Sequence, residues 1–123
     1  ATDITGFGLS GHSMQLAKAS QVSLKVFTEK IPAFSLAKKY LEAGFLTKAH
    51  RTNSEYTAEF IDTQKTNSIE KLLIHDPQTS GGLLLSTHPS YAEKIVQQLK
   101  EYFPGTSIIG EVTPPTEKAI AFV

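Results

Sequence analysis

Gly81-Gly82-Leu83-Leu84-Leu85 is the stretch on which the fold turns. An apolar run entered through two glycines reads as a buried strand. Beyond it, Ser90 and Glu93 stand at the spacing of a capping box. Ala92, Ile95, Val96, Leu99, Tyr102 and Phe103 then recur at i, i+3, i+4, i+7, the period of an amphipathic helix. Its aromatics, with Tyr91, read as core contacts. Pro104-Gly105 ends the helix and Ser107 to Val112 forms the next strand. Strand, helix, strand over residues 83–112 predicts a right-handed βαβ unit. Pro114-Pro115 turns the chain, and Ala119 to Val123 is expected to return antiparallel. The fold class is α+β: a mixed sheet with helices packed on it.

Upstream, Val22, Leu24 and Val26 alternate with Ser23 and Lys25, a half-buried strand. Between Gly6 and Ser20 apolar residues occupy two sides of a helix, which suits an element sandwiched between layers. Thr5 stands where an N-cap belongs. After Pro32, Leu36, Ala37, Tyr40 and Leu41 sit at helical spacing, with Gly44 as the stop. Residues 45–67 are polar. Tyr56, Ala58 and Phe60 alternate there as in a short strand, and Arg51 and Asn53 can contact an anion but read rather as solvated loop residues. Ser68 is placed to cap a short helix carrying Ile69, Leu72 and Leu73.

The 123 residues fit one domain, and 40% hydrophobic with 20% charged residues is an ordinary globular balance. Twelve Lys+Arg against twelve Asp+Glu give no net charge, which disfavours a broad grip on nucleic acid or an anionic membrane. The absence of Cys excludes disulfides and thiolate zinc sites. No apolar run is long enough to span a bilayer, and the expected compartment is the cytoplasm. The chain starts at Ala1 inside a motif, as a piece of something longer would.

Two segments can carry chemistry. Asp3-Ile4-Thr5-Gly6-Phe7-Gly8 stands directly before a helix. Gly6 and Gly8 permit close backbone approach, and the helix end carries partial positive charge, a combination that suits phosphate. Asp3 beside a phosphate repels it unless a cation lies between, so its fitting role is a Mg²⁺ ligand. Thr5 can add a hydroxyl contact or cap the helix. The same pattern also serves as a plain turn and cap. The second segment, Asp76-Pro77-Gln78-Thr79-Ser80-Gly81-Gly82, can form a nest of backbone amides. It can equally be a tight turn in which Gly81 and Gly82 supply positive φ. His12 can touch a phosphate or pack. His50, His75 and His88 show no metal-ligand spacing and read as surface or loop residues.

Together, and in that order, Asp3 to Leu9, Gly11-His12, Arg51-x-Asn53-x-x-Tyr56, Asp76 to Leu84 and Ile109-Gly110-Glu111-Val112 resemble the C-terminal half of the selenophosphate synthetases (selenide, water dikinases) of the aminoimidazole ribonucleotide synthetase-like superfamily. The resemblance covers nearly the whole chain. It implies that residues 1–123 are a single C-terminal domain whose partner is its own N-terminal ATP-binding and dimerising domain. It also implies ATP and several metal ions between the two, a homodimer, and conversion of selenide, ATP and water to selenophosphate, AMP and phosphate. Asp3 matches a Mg²⁺ ligand. Thr5, Gly6 and Gly8 belong to the same motif as candidate phosphate contacts. Asp76, Gln78, Thr79, Ser80, Gly81 and Gly82 match a signature loop whose chemical role stays open. The family's catalytic Cys or selenocysteine and Lys lie in an N-terminal segment, so no catalytic residue is carried over and the chain alone is expected to be inactive. Ser10 and Met14 stand where the family has leucine-like residues, which would loosen packing. Another ATP-using enzyme of the superfamily, or a non-catalytic binding module, would share these features.

Overall fold

The computed structural model describes residues 1–123. In chain order it contains β1 (Thr2–Asp3), α1 (Gly8–Ala19), β2 (Ser23–Val26), a 3-10 turn (Thr28–Lys30), α2 (Ala37–Glu42), α3 (Lys48–Thr57), β3 (Ile61–Asp62), α4 (Ser68–His75), β4 (Leu83–Leu84), α5 (Pro89–Lys100), β5 (Gly110–Thr113) and β6 (Ile120–Phe122). The α+β class holds, with the strands divided between two sheets. A four-stranded mixed sheet runs β3-β6-β2-β5, and β1 pairs with β4 in a separate ribbon.

α1 is sandwiched as its two apolar sides require. It meets β1, β2 and β6 on one side and α3 and α4 on the other. Met14, Val26, Ile61, Ile74, Ile120 and Phe122 form the buried cluster where these layers meet. Met14 fills this core, and Ser10, also buried, hydrogen-bonds to His75. Gly44 follows α2 with φ +84°, the left-handed stop that favours glycine.

Several expectations fail, each for a physical reason. No βαβ unit spans residues 83–112, because β4 pairs only with β1 while β5 pairs antiparallel with β2 in the other sheet. Leu83 is 65% exposed, so the apolar run is an edge rather than a buried strand. β6 runs parallel to β2 and β3, not antiparallel. Tyr56-Ala58-Phe60 is not a strand; α3 occupies residues up to Thr57, and its inward side is His50, Asn53 and Thr57. A helix that buries polar residues leaves no apolar period to read. Tyr91 lies exposed on α5, which buries none of its residues, and Tyr102 and Phe103 lie exposed beyond its end at Lys100. Asn67, not Ser68, caps α4 in a reciprocal box with Glu70. His88 caps α5 in place of Ser90, accepting from the Ser90 amide. Thr5 does not cap α1, which starts after Phe7 with no side-chain cap.

Phe122 is almost fully enclosed where the sheet meets α1 and α4. Phe122→Ala is expected to cost about 3–5 kcal/mol in urea denaturation. The same truncation at exposed Phe34 should stay within about 0.5 kcal/mol.

Candidate functional site

Asp3 occupies β1, held by pairing of Asp3 with Leu83 and Thr2 with Leu84. Its carboxylate is exposed and has neither a hydrogen-bond nor an ion-pair partner in the chain. The segment that follows is fixed from three sides. The Ile4 amide donates to Gly82 O at 2.9 Å, and the Gln78 amide donates to Thr5 O at 3.0 Å. Asn53 Nδ2 donates to Gly6 O and to His75 O, both at 3.0 Å, tying α3 to both segments. Asn53 is therefore a buried structural tie rather than a solvated loop residue.

The glycines differ in purpose. Gly8 has φ +66°, and a Cβ there would meet Ile74 O at 2.9 Å and Asp76 O at 3.0 Å. Its lack of a side chain lets the start of α1 press on the end of α4. Gly6 has open space around it. Gly81 and Gly82 do not have positive φ, contrary to the turn reading. Gly81 is small because its Cα lies against Ile4 O, whereas Gly82 faces open space. Thr79 and Ser80 are exposed at the tip of the loop and make no side-chain hydrogen bond. The loop thus brackets the Asp3–Gly8 segment and brings the two motifs into one unit.

Side chains beneath the loop complete the bracket. Asp76 Oδ2 accepts from Gln78 Nε2 at 2.6 Å. Asp76 Oδ1 lies 3.1 Å from His50 Nε2, close enough to attract but off hydrogen-bond alignment, so that nitrogen is buried without a true acceptor. His50 Nδ1 accepts from the Thr47 amide at 3.2 Å, which places the ring proton on Nε2 toward Asp76. His75 Nδ1 and Ser10 Oγ are 2.8 Å apart. His50 and His75 are 5% and 7% exposed, so both are core residues rather than surface ones. Burial, helped by the neighbouring His50, pushes the His75 pKa from the usual 6.5 down to about 4. His12 Nε2 lies 3.0 Å from Thr5 Oγ1, which explains why that hydroxyl does not cap α1. Phe7 stacks between His12 and Tyr56, with ring centroids 5.6 and 5.5 Å away. Asn53, Ser10, His50 and His75 escape a sequence reading because polar residues buried on helices lack both apolar period and metal spacing.

Asp3 suits a hard cation: an unpaired oxygen donor on an ordered strand. No group of three or more His, Cys, Asp or Glu side chains converges anywhere in the chain.

A parallel-and-antiparallel sheet under α1, with a glycine-rich strand-to-helix entry bracketed by a second loop, defines the class. The chain belongs to the family described as AIR synthase related protein, C-terminal domain, which it matches over residues 1–122. Among curated relatives it is 57% identical to the selenide, water dikinase of Bdellovibrio bacteriovorus and 55% identical to that of Nitrosomonas eutropha, each over 99% of this chain. The selenide, water dikinase of Clostridioides difficile is 37% identical over 97% of this chain. The chain spans 35% of the length of each of these relatives.

Two outcomes follow from this geometry. Gly81→Ala should displace β1 and cost about 1–3 kcal/mol, while Gly82→Ala should be near neutral; paired denaturation curves check this. His75 titrates below its unfolded value, so its neutral form is the one the fold holds. Its share of stability is complete above about pH 6.5 and is lost as pH falls through about 4. His75→Gln should flatten that acid limb, read as the change in urea midpoint between neutral and mildly acidic buffer.

Proposed function

We propose that this chain is the C-terminal domain of a selenide, water dikinase and supplies one side of its ATP site. The observation that carries the reading is the unpaired, exposed Asp3 carboxylate, held on a bracketed strand directly before the glycines of α1. The names of the relatives supply the reaction, and the match to only 35% of their length supplies the incompleteness.

On this reading Asp3 holds a Mg²⁺ ion from the C-terminal side and Thr5 and Gly6 face the phosphates, while Gly8, buried against the end of α4 with its amide donated to Thr5 O, shapes the turn that presents them. A cation bound there would neutralise charge on the phosphate oxygens as the anhydride bonds break. Thr5 offers its hydroxyl, which His12 orients. The uncapped first turn of α1 offers backbone donors and the positive end of its dipole. The loop from Asp76 to Gly82 acts on structure: Gln78 and Gly82 fix the backbone of Thr5 and Ile4, and Gly81 allows the approach. Asp76 supports the same bracket by accepting from Gln78 Nε2. Thr79 and Ser80 are exposed and make no side-chain hydrogen bond, so on this reading they stay free for a ligand.

The remaining ligands and the catalytic groups would come from an N-terminal domain of the longer protein. Leu83 on β4, Leu85 just after it, Tyr91 on α5, Phe103 beyond its end and Val112 on β5 are exposed apolar residues that a neighbouring domain could cover. ATP, selenide, a homodimeric whole and a cytoplasmic setting complete the reading; no helix of the chain is long and apolar enough to cross a membrane.

In the full-length protein, Asp3→Ala is expected to abolish selenide-dependent turnover of ATP to AMP while leaving the thermal midpoint unchanged. Near-normal rates for that variant at limiting Mg²⁺ would overturn the assignment. The chain alone is expected to show no such turnover. Activity with another acceptor and not with selenide would move the protein to a different enzyme of the superfamily. A full-length protein without metal-dependent ATP binding would be a binding module instead.

A further inference from the structure

A cavity of about 350 Å³ opens between α3 and α4, on ground that the reaction proposed above does not use. Seven of its nine lining residues are polar: His50, Arg51, Ser54, Glu55, Thr63, Lys71 and His75, with Leu46 and Leu72 on its apolar edge. We propose that this cavity binds a phosphate group, either inorganic phosphate or the phosphate of a small monoester.

The lining is a set of donors waiting for an acceptor. His75 is more than nine-tenths buried, and its Nδ1 is taken by Ser10. Its Nε2, on the far edge of the ring, has no partner in the chain and is not among the fully enclosed atoms, and His75 is one of the residues lining the cavity. The Lys71 ammonium and the hydroxyls of Ser54 and Thr63 make no side-chain hydrogen bond within the chain. The Arg51 guanidinium has only Glu55, 3.7 Å away between two largely exposed side chains, a contact worth little in water. The lining carries two fixed positive charges against the Glu55 carboxylate, and the Asp76 carboxylate behind it is already held by His50, so directed donors rather than net charge would select the anion. A tetrahedral oxyanion matches several hydroxyl, ammonium and guanidinium donors at once. With Ser10 Oγ–H donating to Nδ1, the neutral His75 ring carries its proton on Nε2 and contributes a hydrogen bond, not a charge. Arg51 and Lys71 project from different helices, so the ligand would join α3 to α4 from outside, opposite the Asn53 tie.

The test uses the chain itself, with the His75 imidazole resonance followed by NMR at neutral pH and low salt. Inorganic phosphate and AMP are titrated in separate arms. Saturable movement of the His75 signal is expected. Arg51→Ala and Lys71→Ala, both at exposed positions that leave the core intact, should each weaken the affinity about tenfold, the loss of one charge-assisted bond. Glu55→Gln, which removes the opposing charge, should tighten it. Equal affinities in the two arms identify inorganic phosphate as sufficient; tighter AMP binding identifies a monoester whose body rests on Leu46 and Leu72. No saturable movement with either probe, or affinities unchanged in Arg51→Ala and Lys71→Ala, would overturn the proposal. A second reading by calorimetry on the same variants guards against a resonance that moves for indirect reasons.

Discussion

The Asn53 carboxamide holds the molecule's two informative segments together. One NH₂ group donates to Gly6 O and to His75 O, the first at the entry to α1 and the second at the exit of α4. Those carbonyls face a crowded junction, where solvent cannot replace a lost donor at low cost. Around this amide the glycine at position 8 closes the gap between α1 and α4, and the loop from Asp76 to Gly82 laces β1 from the other side. Asp3 can remain exposed and unpaired because the backbone on which it sits is fixed by neighbours and needs nothing from its side chain.

The junction is polar where a small domain would ordinarily be apolar. Ser10, Ser13, His50, Asn53, Thr57 and His75 are all buried, beside an apolar cluster of only six residues. Buried polar groups raise the specificity of packing when they are satisfied, and most of these are. The near miss is His50, whose Nε2 lies close to Asp76 without good alignment. A hydrogen bond to one helix end and an attraction to the following loop keep the exit of α4 in register with the strand it feeds.

The class of the fold, the helix after Gly8, the strand at Ser23–Val26 and the stop at Gly44 were legible in the sequence because each has a local signal: period, alternation or a left-handed glycine. The topology was not. Leu83-Leu84-Leu85 has the composition of a central strand, yet composition cannot say how many neighbours a strand has, and here one edge is open. α3 was invisible because its inward face is His50, Asn53 and Thr57, and no apolar period marks it. Of the candidate site, Asp3, Gly8 and the second loop could be picked out by residue type, but the bracket that joins them could not. It depends on Asn53 and on backbone amides, whose partners lie far away along the chain.

The left-handed turn at Gly8, wedged against the carbonyls of α4, has a consequence for anyone moving this motif elsewhere. The six residues from Asp3 to Gly8 are not a portable cassette. Their shape is imposed from outside by an amide, a helix end and a loop that arrive from residues 53 to 82, so a graft that copies the short stretch alone would carry the letters without the conformation.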